Sequence, residues 1–302
     1  MMNFTITVPA STANIGPGFD SAGMALNRYL TLHVREHDEW VFETRSKHLP
    51  PAEDAEQHFI YQIAERLASE YGAALSPCKV IVKSDIPLAR GMGSSASAVV
   101  AGIELANQLC SLNLDLDRKL EWATKFEGHP DNVAPALFGG FIVTAATKKT
   151  DQVEYFRTDE LQVDLVLYVP DFELKTETAR KVLPDTWSMA DSTAASGIGN
   201  VMIAGLISGD YELAGRMMEA DLFHEPYRAS LIPNYEKIRL KAKEMGAYGT
   251  VISGAGPTMI SFAPKGSGPA IAKGMQVELP DYTVEVMEVD KKGARAETFQ
   301  EN

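Results

Sequence analysis

The chain is poor in cysteine, poor in positive charge and without a long apolar run, and each shortage removes a class of function. Its 302 residues include two cysteines, Cys78 and Cys110, with no Cys-x-x-Cys and no Cys/His metal spacing. Neither a disulfide framework nor a zinc site is expected, and a reducing, cytoplasmic setting is the default. With 28 basic against 41 acidic residues the net charge is −13, which repels nucleic acid and anionic membrane, so neither is expected as a partner. No stretch approaches the ~18 apolar residues of a membrane span. The uncharged N-terminal segment is broken by Pro9, Gly16, Pro17 and Gly18 and has no basic leader, which argues against a signal peptide. No Gly-Lys dipeptide occurs, so a Walker phosphate loop is excluded.

What is present is an ordinary globular composition, 45% hydrophobic and 23% charged, at a length that suits two domains of ~150 residues. Residues 30–42 alternate like one strand carrying His33 and His37, so their four-residue spacing is not a helical metal pair. Ile60, Ile63, Leu67 and Tyr71 recur at helical spacing before Gly72, and residues 79–86 read as a strand. Val99, Ile103, Ala106 and Cys110 mark a helix, and Asp117 is placed to cap another that runs to Phe126 and stops at Gly128, with Glu127 at its end. In the second half, residues 161–169 form an alternating strand closed by Pro170, and helical patterns follow to Met245. Strands at 250–253 and 258–262, a helix at 269–279 and a strand at 282–289 complete a β–α–β–β–α–β order, which is ferredoxin-like. The junction is expected near 150–160, dividing the chain into 1–155 and 156–302.

Three segments carry chemistry. Pro87-Leu88-Ala89-Arg90-Gly91-Met92-Gly93-Ser94-Ser95-Ala96-Ser97 joins a strand to a helix. Glycines admit a ligand to the backbone, and the N–H groups of the helix start suit a phosphate. The plainer alternative is a serine-capped turn. A dinucleotide fingerprint is nominally met by Gly91, Gly93 and Ala96, but Asp115 and Asp117 fall in a polar connection instead of at the end of a second strand. The second segment is Pro9-Ala10-Ser11-Thr12-Ala13-Asn14-Ile15-Gly16-Pro17-Gly18-Phe19-Asp20, small residues closing on one carboxylate. Its plainer alternative is a strand-to-turn connection with Asn14 in an Asx turn and Asp20 as a helix cap. The third, Ser253-Gly254-Ala255-Gly256-Pro257-Thr258, reads equally as a tight hairpin.

In this order the three segments resemble the small-molecule kinases of the galactokinase, homoserine kinase, mevalonate kinase and phosphomevalonate kinase (GHMP) superfamily. Within it, Gly-His-Pro-Asp-Asn-Val-Ala-Pro-Ala at 128–136 and His-Glu-Pro-Tyr-Arg at 224–228 are similar to the branch that phosphorylates homoserine, and the likeness covers essentially the whole chain. It implies an α+β, two-domain fold: a ribosomal protein S5 domain 2-like N-terminal domain that binds ATP and a ferredoxin-like C-terminal domain. It implies ATP and Mg²⁺ as cofactors and conversion of L-homoserine to O-phospho-L-homoserine on the route to threonine, in a cytoplasmic enzyme that is often a homodimer.

Carried over position by position, residues 87–97 would cradle the ATP phosphates, and Ser95 with Glu127 would hold Mg²⁺. Asp20 would meet the substrate ammonium, and Arg180 and Arg228 its carboxylate. Asn14, His129, Asn132 and Gly254 would complete the substrate site, with Asn14, Asp20, Glu127 and Asn132 closest to the chemistry. Asn132 stands where mevalonate- and galactose-phosphorylating relatives place a carboxylate base, and an amide cannot take that proton. Asp20 and Asp131 are the remaining candidates for a base. His58 stands where many homoserine-phosphorylating members have an asparagine beside adenine.

Overall fold

The computed structural model describes residues 3–51, 54–147 and 152–299. The first half runs β1 (Phe4–Ala13), β2 (Ala22–Glu36), β3 (Val41–Thr44), α1 (Phe59–Glu70), β4 (Cys78–Ser84), α2 (Ser94–Leu109), α3 (Leu116–Glu127), α4 (Pro130–Phe138), β5 (Phe141–Ala146) and β6 (Val153–Thr158). The second runs β7 (Val163–Pro170), α5 (Thr176–Lys181), α6 (Met189–Ser208), α7 (Tyr211–Met218), α8 (Glu225–Arg228), α9 (Tyr235–Glu244), β8 (Gly249–Ile252), β9 (Met259–Pro264), α10 (Gly268–Glu278), β10 (Tyr282–Met287) and β11 (Arg295–Thr298). Among the described residues no helix is long and apolar enough to cross a membrane.

Two sheets organise these elements. The first has the order β11-β1-β2-β4-β3, with β5 paired to β2 and β6 to β5. The second, β10-β7-β9-β8, is antiparallel throughout and has the ferredoxin-like order that the β–α–β–β–α–β reading requires. β11 joins β1, so the end of the chain returns to the first sheet, and the 155/156 junction falls within β6. One apolar core runs under the first sheet and takes in Val163, Leu165 and Leu167 of β7, while a smaller one, with Tyr168, Ile238 and Met275, fills the far side of the second sheet.

Two features of the first sheet position the site. Pairing of β1 with β2 shifts register between Pro9 and Ala10, where proline has no N–H for the ladder. The strand therefore bends and carries Ser11, Thr12 and Ala13 toward the second sheet. At Gly23 of β2 a Cβ would lie 1.8 Å from Asp131 O, so only glycine lets α4 sit directly on the sheet and bring Asp131 and Asn132 beside β1.

Some sequence expectations need correction. The strand read over 30–42 is two strands: β2 ends at Glu36, β3 begins at Val41 and pairs parallel to β4. His33 is on β2, bonded to Thr5, but His37 is in the turn, where its Nδ1 accepts from Glu39 N. The cap of α3 is Asp115, which accepts from Arg118 N; Asp117 lies in the first turn. No helix follows Asp20, because the chain enters β2 directly. α2 runs on into α3 instead of a second parallel strand, which removes the dinucleotide reading. Both cysteines are free thiols, and burial pushes the Cys78 thiol up to about 12.

Candidate functional site

The three chemistry-bearing segments meet. Ser11 N donates to Met92 O at 3.2 Å and Gly254 N to Ala13 O at 3.0 Å, while Ser253 Oγ donates to Gly91 O at 2.6 Å. Gly91 has a φ of +74°, and a Cβ there would lie 2.2 Å from Ser253 O; Gly93 has +67°, with Ser11 Oγ 2.1 Å from its virtual Cβ. Glycine is therefore demanded twice, by dihedral and by close approach. Gly93 is the N-cap of α2 and offers no side-chain cap, so the first N–H groups of this sixteen-residue helix face outward with its positive dipole end.

Not all of residues 87–97 face a ligand space. Gly91, Gly93, Ser94 and Ser95 line a small pocket of about 80 Å³, and Leu88, Ala89, Ser94 and Ser95 line a cleft of about 830 Å³. Met92, Ala96 and Ser97 are buried behind the loop, where Ser97 Oγ donates to Pro9 O at 2.9 Å. Pro87 and Arg90 turn toward the second sheet, and Arg90 Nε donates to Pro170 O. The cleft continues past Leu30, Leu49, Ile86 and Thr44 to His58. His58 caps α1 by accepting from Ile60 N and stacks on Phe42 with centroids 4.2 Å apart. Burial lowers its pKa to about 4, so it is a neutral wall.

At the loop's other flank, Ser95 Oγ donates to Glu127 Oε2 at 2.9 Å. Gly128, at φ +94°, ends α3 and leaves Glu127 on its last turn. Burial raises the Glu127 pKa, with the Ser95 hydrogen bond opposing it. A carboxylate held in this way gains from a cation. Two adjacent hard oxygen donors would suit a hard cation such as Mg²⁺.

The small pocket collects charges of both signs. Asp20 accepts from Arg180 through Nη1 at 3.1 Å and Nη2 at 2.8 Å. Arg228 is only 1% exposed, with Nε donating to Ala179 O at 3.0 Å and Nη1 to Gly254 O at 3.3 Å. Burial, then the nearby Arg180 charge, lowers its pKa to about 10, which leaves it a cation at neutral pH. His129 Nδ1 lies 2.5 Å from Asp131 Oδ1. Burial pushes His129 down, but the hydrogen bond and charge of Asp131 outweigh it and the net shift is upward. Asp20, His129 and Asp131 can bring one ligand atom each within 4.8 Å of one another, but Arg180 already supplies the positive charge there.

The two asparagines differ in their freedom. Asn14, at φ 69°, spends both ends on the fold: Nδ2 donates to Gly254 O at 2.8 Å and Oδ1 accepts from Asp20 N at 3.0 Å. Asn132 Oδ1 accepts from Ser11 Oγ at 2.9 Å, which assigns its Nδ2 as the donor left for the pocket. Ala255, from the third segment, also lines this space, as do Leu174 and Thr176, which belong to none of the three segments. Leu174 arrives because its N–H donates to Ala89 O at 2.9 Å.

Comparison with known proteins places these features in context. The model of the GHMP kinases N terminal domain matches residues 58–140, and that of the GHMP kinases C terminal matches 202–280. The chain is 49% identical over 97% of its length to the homoserine kinase of Oceanobacillus iheyensis, covering 98% of that protein. It is 45% identical to the homoserine kinase of Bacillus licheniformis, over 97% of this chain and 95% of that one. The crystal structure of the homoserine kinase from Cytophaga hutchinsonii superposes with a TM-score of 0.84 at 27% identity, over 98% of each chain.

Proposed function

The chain belongs to the homoserine kinase family within the GHMP kinases, and on that premise we propose that the cleft and the charged pocket are two halves of one site. There the γ-phosphate of ATP passes to the side-chain hydroxyl of L-homoserine, giving O-phospho-L-homoserine. The observation that carries this reading is a shared wall: Ala89, Ser94, Ser95 and Thr176 line both spaces. A nucleotide in the cleft and an alcohol in the pocket would meet at the N-terminus of α2.

Each residue has a task in this reading. The apolar wall from Leu30 to His58 takes the nucleoside, and the N–H groups of Gly91 to Ser95 take the phosphates. Ser95 and Glu127 hold Mg²⁺, which when bound neutralises charge on the transferring phosphoryl group. Asp20 takes the ammonium, and Arg180 and Arg228 the carboxylate, through charge-assisted hydrogen bonds. Asn14 and Gly254 act one step back, tying Asp20 and Arg228 together from beneath. Asn132 donates toward the hydroxyl or the phosphate, and His129, held by Asp131, closes that side. The donor end of Asn132 cannot accept a proton. Transfer then rests on in-line positioning and charge neutralisation, which a loose transition state chiefly asks for.

A cytoplasmic homodimer is part of the same proposal: the two free thiols suit a reducing compartment, and the dimer rests on the family resemblance alone. Release of ADP from ATP and Mg²⁺ in the presence of homoserine, mevalonate, galactose or shikimate tests the activity. Turnover of homoserine alone is expected; turnover of another panel member without homoserine would sink the substrate assignment.

A further inference from the structure

One aromatic ring touches both arginines of the pocket. Phe19, on the loop between β1 and β2, has its ring centroid 5.7 Å from the guanidinium carbon of Arg180 and 5.4 Å from that of Arg228. The two guanidiniums arrive from different helices, α5 and α8, and as like charges they repel each other. The negative face of an aromatic ring attracts a guanidinium, and its flat surface favours one orientation of that planar group. A ring shared by two such groups therefore offsets part of their repulsion and limits how far apart they can swing.

The ring is itself fixed. His224 stacks on it at 5.4 Å with an interplanar angle of 24°, and Phe223 at 6.4 Å and 25°. Trp187 closes the cluster edge-on against Phe223 at 5.8 Å. His224 is locked in turn. Gly16 O, 3.0 Å from its Nε2, can only accept, so Nε2 carries the hydrogen and Nδ1 is left to accept from Arg228 Nη1 at 3.3 Å. Ring, imidazole and guanidinium thus form one connected unit between the loop and α8.

We propose that Phe19 is a positioning residue that holds Arg180 and Arg228 at the separation suited to one carboxylate, and so favours amino-acid alcohols over alcohols that lack the carboxylate. The inference rests on the reading of these two arginines as the carboxylate site. An aliphatic side chain fills much of the same space but removes the ring's share of the compensation, leaving the nearby carboxylates, Asp20 foremost, to oppose the repulsion alone. The loss on replacing the ring should therefore fall on substrates that carry the carboxylate.

The test compares the parent enzyme with Phe19→Leu on L-homoserine, with 3-amino-1-propanol, which lacks only the carboxylate, measured as an inhibitor of homoserine phosphorylation. In Phe19→Leu the homoserine KM should rise about five- to thirtyfold, while the KM for ATP and the inhibition constant of the aminoalcohol stay within twofold. Phe19→Tyr keeps the ring and should restore the homoserine KM. Phe19→Met, which follows the outline of the ring more closely than leucine, should behave as Phe19→Leu does and serves if the leucine variant does not fold. A homoserine KM within twofold of the parent, or equal losses for homoserine and the aminoalcohol, overturns the inference. Arg228→Ala separates the two levels. An unchanged homoserine KM there overturns the carboxylate reading itself, whereas a raised one beside an unaffected Phe19→Leu removes only the role of Phe19.

Discussion

Asp20 and Arg180 hold each other through two hydrogen bonds, of 2.8 and 3.1 Å, although the proposed substrate needs them apart, one at its ammonium and the other at its carboxylate. Homoserine would exchange one internal ion pair for two external ones. Both partners are about a third exposed, so the pair itself is worth only ~0–1 kcal/mol and is cheap to open. Bonds from a buried, oriented substrate are worth more, about 1.5–3 kcal/mol each when charged.

Asp20→Asn and Arg180→Ala are therefore each expected to raise the homoserine KM about tenfold or more, with the KM for ATP unchanged. Folding stability should fall by less than about 1 kcal/mol. Arg180→Lys should recover little, because a point charge does not reproduce the two-pronged fork. Steady-state kinetics with either substrate varied, alongside urea denaturation, reads all three. A stability loss that matches the kinetic loss would argue for a purely structural pair.

Glu127 leads to a prediction about metal. Its pKa is raised, first by burial, so the ionised carboxylate is less favourable folded than unfolded. For an acid with a raised pKa, that penalty is absent at pH values below the unfolded pKa and appears as pH rises above it. At pH 7.5 without metal, Glu127→Gln should therefore melt higher than the parent. Adding Mg²⁺ with nucleotide should raise the melting temperature of the parent more than that of the variant, while the variant loses about 10²-fold in kcat. Melting curves with and without Mg²⁺ decide it, and an equal Mg²⁺ response in both proteins would remove Glu127 from the metal site.

How much of this was legible in the sequence depends on range. The ferredoxin-like half could be read because its strands alternate and are separated by glycine and proline, and the glycine loop because its small residues stand between a strand and a helix. α4 is hidden in the sequence because Pro130 and Pro135 look like breakers, although the first occupies a helix start where its missing N–H is no loss. β11 is four residues long and owes its strand state to the waiting edge of β1. The Asp20–Arg180 pair spans 160 positions, and no local pattern couples residues at that distance. Phe19 was visible inside a motif, but its two cation partners come from helices that only the packed structure lays over it.

The glycine loop offers a sharper test than the charges do. A Cβ at Gly91 would meet backbone, Ser253 O at 2.2 Å, whereas at Gly93 its one severe contact is the hydroxyl of Ser11, a side chain that can rotate away, with Asn132 Oδ1 at 3.0 Å and Ser11 N at 3.2 Å asking for smaller shifts. Both positions also carry left-handed φ values, worth about 1–3 kcal/mol of strain for alanine. Gly91→Ala should be the worse of the two, at about 3–5 kcal/mol in urea denaturation with loss of ATP binding, because overpacking adds to strain. Gly93→Ala should cost less in stability but still raise the KM for ATP, since Ser11 must release Asn132 to make room. Equal stability losses would mean that the contact with Ser253 is not what demands glycine at 91.

His129 and Asp131 give stability a pH dependence of known sign. Burial pushes His129 down, yet the hydrogen bond and charge of Asp131, itself 2% exposed, bring the pKa above its ordinary value. A histidine raised in the fold contributes stability that is fully present below its unfolded pKa of about 6.5 and is lost as pH rises through the folded value. In Asp131→Asn both upward influences of Asp131 are gone, while the burial penalty remains, with Asp20 opposing it and Arg180 adding to it, so folding favours the imidazolium less than in the parent. The variant should be less stable than the parent by about 1.5–3 kcal/mol at pH 5.5, the usual worth of a charged hydrogen bond, and the gap should narrow toward pH 9. Urea denaturation at the two pH values measures it. A gap of equal size at both would show that Asp131 stabilises the fold through contacts other than the charged form of His129.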